Sequence, residues 1–263
     1  MKTKKRTKIN WDIIPVIEVY KSILNGEIKT FPYRYLNKER SRTILRYVAL
    51  TKYNMTREQI CKDITVKFLR KHFIVSINKI FAGDWHHMID YCFDEMNIMP
   101  WELVRVKDGF WEDVNNRKAF VMWVSQKENV DITKADELRK LTGNVLRSYG
   151  GQNAIITSGT LFELINLINP MHYKEWEVCT ITLWDDDKRK DAIRWLIEEK
   201  LRWDEKTVKE QLSTEHFFQN NLRTLFDYFH HNRNKVLEFA YPGKYSRLKR
   251  SPINERYAQN ETI

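Results

Sequence analysis

A chain of 263 residues that is 42% hydrophobic and 13% aromatic has core material for one large domain or two to three small ones, which excludes a disordered protein. Eight glycines and six prolines are too few turn formers for an all-β fold, and the periodic stretches are rich in Lys, Glu, Arg and Leu, so the expected class is all-α. The net charge of +10 is uneven: residues 1–10 hold five cations and no acid, residues 31–80 twelve cations and three acids, and residues 243–263 five cations and two acids, which with residues 11–30 at −1 leaves residues 81–242 at −6.

In chain order, residues 1–10 form a basic tail, and an N-terminal helix over Trp11–Leu24 fills 11–30, stopped by Asn25-Gly26. Phe31-Pro32 opens a basic helical unit, 31–105. Within it Lys38–Lys52 has apolar Ile44, Leu45, Tyr47, Val48 and Leu50 at helical spacing. Thr56 and Gln59 fit a capping box for a second, short helix. Thr65–Phe81 and Trp85–Met96 complete the unit before Pro100. The next unit, 106–180, takes Asn115–Gln126, Thr133–Leu141, Gly143–Tyr149 and Thr160–Ile168 as helices, with Gly150-Gly151 as a break and Gln152–Gly159 as a loop. A third unit, 181–245, opens on Leu183-Trp184-Asp185 and takes Asp186–Leu201, Glu205–Leu212 capped by Asp204, Thr214–Gln219 capped by Ser213, Leu222–His230 and Lys235–Tyr241. Residues 246–263 are polar and read as a flexible basic tail.

The three-unit division rests on recurrence. Trp123 and Trp195 are 72 residues apart, and so are Pro170 and Pro242. A more degenerate first copy has Arg46-Tyr47 in the Trp position and closes on Met99-Pro100, with 53 residues from Tyr47 to Pro100 against 47 in the other two. Each unit is thus four to five short helices, helix-turn-helix-like, with an aromatic anchor on the first. Trp101, Trp176 and Trp203 fall at unit junctions and are expected to pack one unit on the next.

Arg194-Trp195-Leu196-Ile197-Glu198-Glu199-Lys200, Ser213–Phe217, Asn221-Leu222 and Leu237–Gly243 carry a resemblance to tandem Trp-anchored helical repeats of uncharacterised proteins from spore-forming Gram-positive bacteria and their phages. The resemblance covers the last three quarters of the chain and is faint in the first unit. It implies a helical repeat architecture and a phage or mobile-element setting, and carries no catalytic residue across.

Cys61, Cys92 and Cys179 are far apart and odd in number, with neither a signal-peptide pattern nor an apolar run of membrane length, so a reduced, cytoplasmic protein without a membrane partner is expected. No enzyme is expected. Asp185-Asp186-Asp187 stands at a helix start, where the dipole and the free amides favour acids, a reading that outweighs a nuclease carboxylate cluster. The adjacent pairs His86-His87 and His230-His231 lack the spacing that lets two imidazoles share a metal, and no Gly-rich phosphate loop occurs, so neither metal nor cofactor is expected.

The basic first unit is the expected nucleic-acid interface, duplex DNA first. Lys38, Arg40, Arg42 and Arg46 stand on its first helix and Lys67, Arg70 and Lys71 on the second half of a helix-turn-helix. The corresponding helix of the third unit offers Glu215, His216, Gln219 and Asn220, which supply no cation for phosphates. The expected role is a regulator or accessory factor that binds without catalysing. A protein-interaction module that captures or inhibits a host protein through the acidic second and third units is the alternative, and a metal-dependent nuclease the third.

Overall fold

The structure, a computed structural model, describes residues 10–179 and 185–245. Most of both basic tails and the Leu183-Trp184 opening of the third unit lie outside the described residues. Every regular element among the described residues is helical, in agreement with the all-α class, and no helix among them is long and apolar enough to cross a membrane.

The elements are α1 (Val16–Leu24), α2 (Lys38–Arg46), α3 (Arg57–Asp63), α4 (Val66–Lys71), α5 (Ser76–Ile80), α6 (Trp85–Cys92), α7 (Val114–Lys127), α8 (Ala135–Leu138), α9 (Gly143–Ser148), α10 (Gln152–Ser158), α11 (Leu161–Asn166), α12 (Glu175–Val178), α13 (Asp186–Arg194), α14 (Glu205–Gln211), α15 (Thr214–Gln219), α16 (Arg223–Tyr228) and α17 (Arg233–Ala240). Helices α2 and α13 run on into π-helical turns, Tyr47–Lys52 and Trp195–Leu201. Two expectations change. Thr65–Phe81 is not one helix, because Phe73 takes a left-handed conformation (φ 59°) between α4 and α5. Gln152–Gly159 is not a loop: the two glycines stop α9, but the Gly151 carbonyl accepts from the Ile155 amide at 3.1 Å and starts α10 at once.

The described residues divide into two compact units, 10–120 with 146–157, and 121–145 with 158–179 and 185–245. In the first, α1–α6 enclose a core that includes Tyr20, Ile44, Leu45, Ile60, Leu69, Ile77 and Phe93, each essentially inaccessible. Tyr20 crosses Tyr47 edge-on, with centroids 6.3 Å apart, and its hydroxyl donates to the His72 carbonyl at 3.1 Å. In the second, Trp176 and Trp195 meet edge-on at 5.9 Å over a core of Val208, Leu212, Phe217, Leu225, Phe226 and Leu237. Apolar burial of this kind is worth roughly 25 cal/mol per Å², so these two clusters are the main source of stability.

The helix caps of α2, α3, α4 and α6 recur in α13, α14, α15 and α17 at a constant interval. Asn37 and Asp185 cap α2 and α13, Thr56 and Asp204 cap α3 and α14, Thr65 and Ser213 precede α4 and α15, and Asp84 and Asn232 cap α6 and α17. Each pair is separated by 148 positions. Left-handed residues follow at the same interval: Asn54 with Arg202, Phe73 with Asn221, Ala82 with His230, and Gly83 with His231. Buried positions match as well, Ile60, Ile64, Leu69, Ile74 and Ile77 answering to Val208, Leu212, Phe217, Leu222 and Leu225. By the same interval the residue that answers to Tyr241 is Phe93, so the register of the first stretch runs through Phe93 and not through Pro100.

Candidate nucleic-acid interface

Seven cations are expected to grip phosphates, and the structure sorts them into two groups. The four on α2 are occupied within the fold. Lys38 Nζ lies 3.0 Å from His87 Nε2, and Arg40 donates to the carbonyls of Tyr35 and Asp12 at 2.7 and 3.2 Å while lying 4.2 Å from the Tyr35 ring centre. Arg42 is bidentate on Asp94, at 2.7 and 3.4 Å. Arg46 donates to Glu95 at 2.7 Å and to the Cys92 carbonyl at 2.9 Å. Arg194, which answers to Arg46, donates to the Ala240 carbonyl at 3.1 Å, and Ala240 answers to Cys92. An arginine that closes the last helix onto the first in both stretches is a structural part of the fold. A carbonyl left without this charged donor would be stranded at a helix end.

Lys67, Arg70 and Lys71 are a different case. All three are exposed, and their side chains make no ion pair, hydrogen bond or ring contact among the described residues. At i, i+3 and i+4 they share one face of α4, and the opposite face buries Leu69 completely. The helix is set by Thr65, whose hydroxyl accepts from the Phe68 amide at 3.3 Å, and joined to α3 through Ile64 and Thr65, with Ile64 buried. Thr56 and Gln59 form the capping box expected at the start of α3. The answering pair, α14 and α15, has the same two-residue join, Leu212-Ser213. There the exposed face carries Glu215 and Gln219 in place of Lys67 and Lys71, and Phe218 in place of Arg70.

Behind α4 lies His72, 5% exposed, with Phe68 at 4.5 Å and Tyr53 at 4.8 Å, ring centre to ring centre. Burial, with Lys71 and Lys52 adding to it, holds the His72 imidazole below its usual 6.5. The unfolded chain therefore takes up this proton first as pH falls. The contribution of neutral His72 to stability is complete above about 6.5 and is lost progressively below it. Lowering the pH from about 7.5 to about 5.5 is expected to reduce the urea midpoint of the wild type by more than that of His72→Gln, which lacks the titration.

Exposed apolar groups flank the cationic face: Phe73 at 58%, Tyr53 at 44%, and Val66 and Val75 at 39%. Sequence reasoning missed Phe73, which it placed inside a continuous helix. Only the structure shows it at a helix stop.

Groups suited to other chemistry are committed elsewhere. Asp185 caps α13 by accepting from the Lys188 amide at 2.7 Å, and Asp186 pairs with Arg189 at 2.7 Å. His86 Nε2 lies 3.1 Å from the Ile98 carbonyl, and His230 and His231 form the left-handed stop before α17. Among the described residues no group of three or more His, Cys, Asp or Glu side chains is placed to hold a metal ion. Cys61, Cys92 and Cys179 are buried free thiols, and burial pushes Cys92 and Cys179 up to about 12 and Cys61 above its usual range.

A family described as "Protein of unknown function (DUF4046)" matches residues 16–98, the stretch from α1 through α6 that contains the α3–α4 pair. No curated protein and no solved structure is significantly similar to the chain.

Proposed function

We propose that this protein binds nucleic acid, duplex DNA in the first instance, through α4, and that it does so as a non-catalytic cytoplasmic regulator or accessory factor. The observation that carries the reading is the contrast between two related helices. α4 holds Lys67, Arg70 and Lys71 exposed and uncompensated, whereas the answering face of α15 has no lysine or arginine. Cations already paired inside the fold gain little from a phosphate, because an existing partner must first be given up. Unpaired ones release condensed counterions from the nucleic acid at no such cost. A phage or mobile-element setting rests on the resemblance of the later repeats alone.

The test is binding of the full chain to a labelled mixed-sequence duplex over a salt series. Each phosphate contact contributes about −0.9 to the slope of log K against log salt, so Lys67→Ala/Arg70→Ala/Lys71→Ala is expected to flatten the slope by about 2–3. None of the three side chains makes an ion pair or hydrogen bond among the described residues, so at about pH 8, where His72 is neutral, the melting temperature of the triple variant should stay close to that of the wild type. Absence of binding at low salt would remove this reading and direct the search to a protein partner of the acidic stretches.

A further inference from the structure

Among the described residues seven helices end in the same hydrogen-bonded stop, with Gly26, Phe73, Ala82, Asn129, Gly150, Asn221 and His230 at its left-handed place. Two places beyond the last residue of α4, α15 and α9 stands a left-handed residue: Phe73 (φ 59°), Asn221 (φ 60°) and Gly150 (φ 88°). Its amide bonds to a carbonyl three residues back, Phe73 to Arg70 at 3.1 Å, Asn221 to Phe218 at 3.2 Å and Gly150 to Arg147 at 3.0 Å. The following amide reaches five residues back, Ile74 to Leu69 at 2.9 Å, Leu222 to Phe217 at 2.8 Å and Gly151 to Leu146 at 2.9 Å. This is a Schellman stop, whose left-handed place is ordinarily filled by glycine and sometimes by asparagine.

Ala82 and His230 also depart from that rule, but Phe73 alone of the seven brings a large apolar side chain to the left-handed place. A bulky side chain in the left-handed region is an outlier, and this one leaves 58% of its surface in water. Asn221 uses the same place to donate to the carbonyls of Trp176 and Cys179 at 2.8 and 3.0 Å. The Phe73 ring makes no aromatic contact among the described residues. It stands immediately beyond Lys67, Arg70 and Lys71, so the one stop of the seven with a phenyl ring is also the one beside three unpaired cations.

We infer that Phe73 is a wedge that inserts into the base stack of the nucleic acid whose phosphates these three cations hold, an inference that rests on the reading under Proposed function. An apolar ring presented beside phosphate-gripping cations is the arrangement by which proteins unstack a base step and kink a duplex. Opening the stack costs least where a base is already mispaired, so the preferred ligand is a duplex with a local defect.

The experiment compares two labelled duplexes of one mixed sequence, fully paired or with a single mismatch beside a 2-aminopurine, against the full-length wild type, Phe73→Asn and Phe73→Trp. The wild type should bind the mismatched duplex about tenfold more tightly than the paired one and brighten the 2-aminopurine as its neighbours unstack. Phe73→Asn should abolish the preference and the brightening, leave the salt slope on the paired duplex unchanged, and raise the urea midpoint, since asparagine tolerates the left-handed place. Phe73→Trp should keep the preference. Equal affinity of the wild type for both duplexes, or brightening that survives in Phe73→Asn, overturns the wedge while the phosphate contacts stand. Binding of neither duplex at low salt overturns both.

Discussion

Phe217→Ala is expected to destabilise the second compact unit by about 3–5 kcal/mol, the range for removing a fully buried phenylalanine ring. Phe217 is inaccessible to solvent, and its ring stacks on Phe226 with centroids 4.5 Å apart and planes 13° from parallel. Its carbonyl also receives the Leu222 amide at 2.8 Å, so the residue belongs at once to the core and to the stop that turns α15 toward α16. Two losses coincide in the variant, transferred apolar area and contacts along the cavity wall, while the backbone bond from the Leu222 amide is kept. Trp176 and Trp195 are packed in the same cluster, so their fluorescence should report a urea midpoint shifted to lower concentration. A shift under 1 kcal/mol would mean that neighbours collapse into the space and that this core is held less tightly than its burial implies.

The helical class was legible because it rests on abundant local signals. Thr56, Asp204 and the Asp185 cap announced helix starts through their own side chains, and those side chains make the hydrogen bonds expected of them. The recurrence between α2–α6 and α13–α17 was out of register in the sequence, because no tryptophan marks the opening helix of the first stretch. Tyr47 takes the place of Trp195 and Phe93 the place of Tyr241, so the first stretch offered Pro100 as a false closing mark. Constant intervals between caps and left-handed residues are a backbone property, and a sequence shows them only where glycine or asparagine happens to fill the position. Half of the candidate site was legible for a related reason. Charge can be counted from sequence, but the partners of a cation cannot. Arg42 and Arg46 find Asp94 and Glu95 about fifty residues away, and only a fold brings them together. Lys67, Arg70 and Lys71 follow helical spacing on one short segment, so their shared face could be inferred without any long-range contact.

Gly150→Ala should cost about 2–5 kcal/mol, with a sign opposite to that of Phe73→Asn at the answering place after α4. Two effects add. At φ 88° an added Cβ crowds the following carbonyl, which costs about 1–2 kcal/mol. That Cβ would also lie 2.5 Å from the Trp101 carbonyl oxygen, closer than real Cβ contacts come. The obstacle is backbone, anchored where Trp101 packs edge-on against Phe120 at 5.5 Å, and it cannot swing aside as the end of a flexible side chain would. Overpacking of this kind adds about 1–3 kcal/mol. Gly150→Asn separates the two effects: asparagine tolerates the left-handed conformation but carries the same Cβ, so it should retain the steric loss and be spared much of the conformational one. Urea denaturation of the three proteins measures both. If Gly150→Asn were as stable as the wild type, the close approach of Trp101 would not be what requires glycine, and the whole loss in Gly150→Ala would belong to the backbone conformation. If both variants fall and alanine falls further, then the stop after α9 demands glycine on two counts. The stop after α4, with no such obstruction beside it, is then free to carry an aromatic ring into solvent.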